Sequence, residues 1–162
     1  MVYGYYKRLN KFQKAVYRKS DAIERIELNH PEIIRQSIII LNDTLRTEDR
    51  KKTELASQTI IDDIASDLRI NRAGIKVLSA RPSHNWGELH GLYEPSDARI
   101  TVWMRTAKHK KVVAFRTFLR TILHELCHHL DYELFSLADS YHTEGFFKRE
   151  SSLFRQLVQN NN

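Results

Sequence analysis

Apolar residues recur at helical spacing along the first part of the chain and predict three helices there. The first covers residues 5–28 and carries many basic side chains. His30-Pro31 marks a break, after which apolar positions from Ile33 to Leu41 predict a second helix, with Pro31 suited to its first position. A third helix is predicted over residues 47–69, with Thr53 or Glu54 near its outer side. Its expected inward-facing residues are Leu55, Ile60, Ile61, Ile64, Ala65 and Leu68.

The hydrophobic pattern changes from helical spacing to alternation after Gly74. Ile75-Lys76-Val77-Leu78-Ser79 alternates as a strand, and Arg81-Pro82-Ser83-His84-Asn85 predicts a turn. Residues 89–93 and 99–104 are expected to form a hairpin across Glu94-Pro95-Ser96-Asp97. A helical N-terminal half, a small antiparallel or mixed sheet and two further helices make an α+β fold.

Helical spacing returns between Val112 and Phe135, and this apolar run contains an HExxH motif. Residues four apart lie on one face of a helix, so His124 and His128 can bind one metal ion together. Glu125 is rotated by about 100° from His124, which places it beside the metal, where it can act as a general base on a metal-bound water. This arrangement is typical of zinc hydrolases.

A third protein ligand is expected downstream, because catalytic zinc usually has three. His142 is the preferred candidate. It lies at a loop-to-helix junction, with Thr143 as a plausible N-cap and the apolar face of a closing helix after it. Glu144 and Glu150 stay as alternatives, since many HExxH enzymes take a Glu from a following helix. Leu134 stands where the metzincin pattern requires a His.

The HELCHHLD run at residues 124–131, followed by His-Thr-Glu-Gly-Phe-Phe-Lys at 142–148, resembles the SprT-like zinc metallopeptidases. Those proteins pair an HExxH helix with a later His. The resemblance covers residues 74–158 and implies a zincin-like catalytic core there, with a zinc ion and hydrolysis of peptide bonds. Residues 1–70 would form a helical N-terminal part of a single metallopeptidase domain over residues 1–162, a length typical of one domain.

Residues around the motif are predicted to support the site. Asp131 is expected to orient a ligand imidazole by a hydrogen bond, the alternative being a solvated carboxylate near the helix end. Residues 87–93 are the candidate edge strand, to which a substrate chain would add as a further strand. Three side chains are candidates for stabilising the oxyanion of the reaction: Tyr141, His129 and Arg149. Three isolated histidines are expected at the surface or in turns: His84, His90 and His109.

Composition favours a cytoplasmic protein without a membrane span. No apolar stretch approaches the length that a membrane requires, and the first residues lack the apolar segment of a signal peptide. The single cysteine, Cys127, cannot form an internal disulfide and is interpreted as a packing residue of the motif helix.

Positive charge is concentrated in two segments of a chain whose net charge is +6. Residues 1–20 hold six basic residues and no acidic one, interleaved with the aromatic residues Tyr3, Tyr5, Tyr6, Phe12 and Tyr17. Residues 98–123 hold seven more basic residues and again no Asp or Glu. Basic residues mixed with aromatic ones suit a polyanion, so nucleic acid is a second expected partner beside a protein or peptide substrate.

Two other functions fit the same residues. The first is a zincin-like module that binds nucleic acid or a protein partner without hydrolysis. A base at Glu125 argues against it, because a purely structural zinc site has no use for one. The second is a regulatory peptidase of the ImmA/IrrE kind, whose expected Glu ligand would be Glu144 or Glu150.

Overall fold

The structure is a computed structural model that describes residues 4–84 and 87–159. These residues form five α-helices and a small mixed sheet, and so confirm the α+β class. A 3-10 helix, Gly4–Arg8, begins the described chain. The α-helices are α1 (Lys11–Asp21), α2 (Pro31–Arg46), α3 (Arg50–Leu68), α4 (Phe115–Glu133) and α5 (Glu144–Leu157).

Three strands form the mixed sheet in the order β1-β5-β4. They are β1 (Gly74–Ala80), β4 (Gly91–Glu94) and β5 (Arg99–Arg105). The predicted hairpin is present as the antiparallel pair β4 and β5, and β1 lies parallel to β5 on the other side. Strand β4 is therefore an edge of the sheet.

A separate two-stranded ladder stands where the sequence predicts a turn. It pairs β2 (Ser83–His84) with β3 (Gly87–Glu88), and Asn85 of the predicted turn lies outside the described residues. The predicted edge strand over residues 87–93 is thus divided. Its first two residues belong to this ladder, and only Gly91 to Tyr93 lie on the edge of the main sheet.

The core lies around β5 and α4. All residues of β5 from Ile100 to Met104 are buried, because both faces of this central strand are covered. Strand β1 alternates, with Ile75 and Val77 buried and Lys76 exposed. Helix α4 confirms the helix predicted around the motif, and its buried side chains join the sheet and α5 in one hydrophobic cluster: Phe118, Leu119, Ile122, Leu123, Leu126, Cys127 and Leu130.

The prediction of one helix over residues 5–28 is wrong at both ends. A separate 3-10 helix, Gly4–Arg8, precedes α1, which begins after its N-cap Asn10 and ends at Asp21. Residues 23–28 belong to no helix or strand, and Ile26 and Leu28 are buried while their neighbours are mainly exposed. The backbone N–H of Ile26 donates to Ser152 Oγ, and that of Leu28 donates to Gln156 Oε1. Side chains more than 100 positions away thus replace the hydrogen bonds that a longer helix would have made.

The predicted inner face of α3 is wrong at two positions. Leu55 is 69% exposed, whereas Thr53 is fully buried. The Thr53 hydroxyl donates to the carbonyl of Asp49, and the Ser57 hydroxyl donates to that of Thr53. These bonds within the helix satisfy both hydroxyls, so small polar residues can face the core without an unpaired group.

Thr143 caps α5 as the sequence predicts, since its hydroxyl accepts the N–H of Phe146. No helix in the described parts of the chain combines the length and apolar character that crossing a membrane requires.

Candidate metal centre

Three histidines from two parts of the fold converge on one point. His124 and His128 lie one turn apart on α4, and His142 lies in the loop just before α5. One ring nitrogen from each lies within 4.8 Å of the others, and the Nε2 atoms of His128 and His142 are 3.0 Å apart. Phe146 packs against all three rings. These three side chains could hold a metal ion.

Hydrogen bonds behind His128 determine which of its nitrogens is free. Its Nδ1 lies 2.7 Å from Ser140 Oγ, and that hydroxyl donates to Asp131 Oδ2 at 2.6 Å. Since the single hydroxyl proton of Ser140 is used on Asp131, Ser140 must accept from Nδ1–H of His128. The Nε2 atom of His128 therefore carries a lone pair directed at the convergence point.

Glu150 holds His124 through its Nδ1 atom, as Ser140 holds His128. Its Oε1 lies 2.7 Å from His124 Nδ1, and its Oε2 accepts from Arg120. A carboxylate accepts only, so His124 donates through Nδ1 and leaves Nε2 free. Carboxylate and hydroxyl partners of this kind are typical behind metal-binding histidines. The donor set therefore fits a metal ion.

Burial keeps two of the rings in the neutral form that a metal ligand requires. It lowers the pKa of His128 to about 3, with further lowering from His142 and His124. Burial and His124 also lower the pKa of His142. For His124, burial acts in the lowering direction, but the hydrogen bond to Glu150 and the charge of Glu125 outweigh it and raise the pKa.

Glu125 lies beside these rings and is 7% exposed. Burial raises the pKa of its carboxyl group to about 7, against a lowering effect of His124 and with a smaller raising effect of Glu150. A carboxyl group with this pKa exchanges its proton readily near neutral pH, which suits a general base that must later act as an acid.

The remaining candidates for the third ligand lie in different positions. Glu144 is on the surface and pairs with Lys148. Glu150 lies behind His124, with its two oxygens engaged by His124 and Arg120. The structure thus brings His142, and not Glu144, into the group of converging nitrogens.

Asp131 does not bond an imidazole directly. One of its oxygens accepts from Ser140, which in turn holds His128, and the other accepts from Arg149 at 2.9 Å. Asp131 and Arg149 are both fully buried. Burial raises the pKa of Asp131, although Arg149 and Ser140 oppose it. The orienting path predicted for this carboxylate therefore runs through a serine that the sequence did not single out.

The candidates for oxyanion stabilisation point elsewhere. Arg149 donates to Asp131 and to the carbonyls of Ser20 and Ile23. His129 donates through Nε2 to the carbonyl of Asn71, so its Nδ1 accepts from the Tyr93 hydroxyl. The third candidate, Tyr141, does not line the cavity at the candidate metal centre.

A cavity of about 890 Å³ opens over the three histidines and Glu125. Its walls come from β4 and the residues before it, from the outer face of α4 and from α5. The exposed residue His90, which the sequence placed at the surface, is part of this wall. His109 is exposed, and the side chain of His84 lies outside the part of the chain that the structure describes.

Gly91 allows β4 to lie close to α4. A Cβ atom at this position would come within 2.9 Å of Thr121 Cγ2 and 3.0 Å of Glu125 Oε1. The edge strand can therefore pass directly beside the candidate base only because residue 91 has no side chain. The sequence signal for this contact was a glycine inside a strand pattern, which often marks a close approach.

The aromatic residues of the basic N-terminal segment are largely used inside the fold. Tyr17 is buried and packs against Tyr5, Tyr6 and Tyr141. Phe12 is exposed. Tyr3 lies outside the described residues.

Comparisons with protein-family models, with curated proteins and with solved structures found no match for this chain.

Proposed function

We propose that this chain is a zinc-dependent metallopeptidase of the SprT-like kind, with a zincin-like core. The observation that carries the proposal is the pair of hydrogen bonds at Nδ1 of His124 and of His128, which leaves the Nε2 atoms of both rings available beside His142 and the buried carboxyl group of Glu125. Three histidine ligands that leave a fourth position open to water make up a frequent catalytic zinc site, and zinc binding would displace any proton from His124.

Each group in the site has a defined task in this proposal. When bound, zinc supplies a Lewis acid that activates water and polarises the scissile carbonyl. Glu125 takes the proton of the attacking water and returns it to the leaving amine. Glu150 and the Ser140–Asp131 pair hold two of the ligand rings. A substrate chain binds along β4, whose outer side is unpaired within the described residues, through main-chain hydrogen bonds.

The first test changes only the proposed base. We expect Glu125→Gln to bind zinc as the wild type does and to lower the rate of casein cleavage by about 10²–10⁴-fold, the usual contribution of a general base. Glu133→Gln is the matched control, because Glu133 is an exposed residue at the end of the same helix. Cleavage that survives Glu125→Gln contradicts the assignment.

The second test concerns the ligand set. We expect His142→Ala to lose most of the bound zinc, as measured by metal analysis of the purified protein. Glu150→Gln keeps an oxygen that accepts from His124, and we expect it to retain zinc at a lower affinity. Loss of zinc in the Glu150 variant alone would identify that residue as the ligand, as the ImmA/IrrE-like alternative requires.

A further inference from the structure

The cavity has a cationic end that the proposed chemistry does not use. Arg116 and Arg120, one turn apart on α4, both line the cavity on the N-terminal side of His124. Their guanidinium groups lie over the same ring, that of Phe154, at 5.0 Å and 4.1 Å from its centre. Stacking on an aromatic ring holds both charged groups in place at the cavity wall.

The described residues balance only part of the positive charge at this end. Arg120 donates to Glu150, which is already engaged by His124. Among the described residues, Arg116 has no carboxylate partner. It also lies in the first turn of α4, where a positive charge is unfavourable, and it repels Arg120 one turn away. An anion bound between the two guanidinium groups would relieve both effects.

The direction of β4 indicates which part of a substrate reaches this end. Gly91 lies beside Thr121 and Glu125, and Tyr93 bonds His129, so β4 and α4 run the same way. A peptide paired antiparallel with β4 therefore runs against α4, and its residues after the cleaved bond lie towards Arg120 and Arg116. Arg120 and Arg116 precede His124 by about 6 and 12 Å along α4, and an extended peptide covers these distances with about two to four residues.

We propose that this cavity selects substrates with a carboxylate within the first four residues after the cleaved bond, bound by Arg116 and Arg120. The carboxylate belongs either to an Asp or Glu side chain or to a free C-terminus, since an arginine binds both through the same two-pronged contact. This inference rests on the proposed peptidase function and adds a substrate class to it.

The first experiment uses the zinc-loaded full chain and a mixed peptide library, with cleavage sites mapped by mass spectrometry. We expect acidic residues or peptide ends to be enriched in the first four positions after the cleaved bond. Arg116→Met, which keeps the apolar stem over Phe154, should remove the enrichment. Arg155→Met, at an exposed position of α5 outside the cavity, should preserve it. Enrichment before the cleaved bond, or none at all, overturns the proposal.

The second experiment separates the two sources of carboxylate and does not depend on hydrolysis. Labelled peptides that differ only as Glu or Gln, or as C-terminal acid or amide, are titrated into the Glu125→Gln protein. In one of these two pairs, we expect the acidic peptide to bind about tenfold more tightly than its neutral partner, as for a hydrogen bond to a charged group. In Glu125→Gln/Arg116→Met, the ratio of the two dissociation constants should approach one. Equal binding of both pairs overturns the carboxylate proposal. A binding preference without cleavage by the wild type overturns only the peptidase function.

Discussion

At the scale of single residues, the site depends on the direction of one hydrogen bond. The Ser140 hydroxyl has one proton and two neighbours, Asp131 and His128. Asp131 is paired with Arg149, and an ionised carboxylate can only accept hydrogen bonds. The Ser140 hydroxyl therefore donates its hydrogen bond to Asp131. The Nε2 atom of His128 is then the one available to a metal ion. A serine thus selects the tautomer of a proposed ligand.

This reasoning makes Ser140→Ala the most informative single change behind the ligands. Without the hydroxyl, Nδ1–H of His128 loses its acceptor, so the ring is no longer held in place or in one tautomer. We expect zinc affinity, measured by competition with a chelator, to fall by about 10–100-fold, the usual effect of losing such a partner. The fold should persist, as reported by circular dichroism.

Ser66→Ala serves as the control for that change, since Ser66 is exposed on α3 and far in sequence from the three ligands. Its zinc affinity should equal that of the wild type. If Ser140→Ala also bound zinc with unchanged affinity, the hydroxyl would have no part in orienting His128.

Residues of the site differ in how far the sequence reveals them. The spacing of His124, Glu125 and His128 follows from helix geometry alone, and it predicted their shared face. Ser140 and Glu150 contact their imidazoles across 12 and 26 positions of the chain. No local pattern encodes such contacts, because they depend on how the loop and α5 return to α4. The sequence therefore predicts Glu150 only as an alternative ligand.

At the scale of elements, the approach of β4 to α4 should be sensitive to one methyl group. In Gly91→Ala the new Cβ would meet Thr121 and Glu125 at 3.0 Å or less, so the strand or the carboxylate must move. We expect a loss of about 1–3 kcal/mol in the free energy of unfolding, typical of overpacking, with a larger relative loss of peptidase activity than of zinc content. Urea unfolding, cleavage and metal analysis measure the three effects.

Gly74→Ala is the matched control, because Gly74 begins β1 and has nothing within 4 Å of its added Cβ. Gly91→Ala/Thr121→Ala should regain part of the lost stability, since it removes the Cγ2 atom nearest the new methyl group. Full activity in Gly91→Ala would show that β4 does not need its close position.

Elements were predicted well where local pattern determines them and poorly where distant packing does. The helix around the motif, α5 with its Thr143 cap and the β4–β5 hairpin all follow from spacing and turn residues. Residues 23–28 have side chains that are compatible with a helix. They lie outside any helix, and Ser152 and Gln156 of α5 bond their backbone instead, which no window of neighbouring residues can show.

At the scale of the whole molecule, helix α1 is linked by hydrogen bonds to the candidate metal centre. Gly145 in the first turn of α5 lies so close to α1 that an added Cβ would be 2.5 Å from the carbonyl oxygen of Asp21. The Ser20 hydroxyl lies 3.1 Å from that of Thr143, next to His142. Arg149 then connects the carbonyls of Ser20 and Ile23 to Asp131, and so to His128. The position of the ligands therefore depends on a segment far from the motif.

Arg149→Met should be the most destabilising of the substitutions considered, because it removes the only cation that contacts Asp131 among the described residues. Breaking a buried ion pair from one side costs about 3–5 kcal/mol, which urea unfolding would detect. The control, Arg155→Met, should change stability by less than about 0.5 kcal/mol, as expected at an exposed site.

The double variant Arg149→Met/Asp131→Leu separates stability from metal binding. Replacing both buried charges by apolar groups avoids the unpaired carboxylate, so this protein should be more stable than Arg149→Met alone. Its zinc affinity should nevertheless stay below that of the wild type, because Ser140 has lost the acceptor that directs its proton away from His128. Recovery of both properties together would mean that the buried pair acts on the fold alone and not through Ser140 on the ligand.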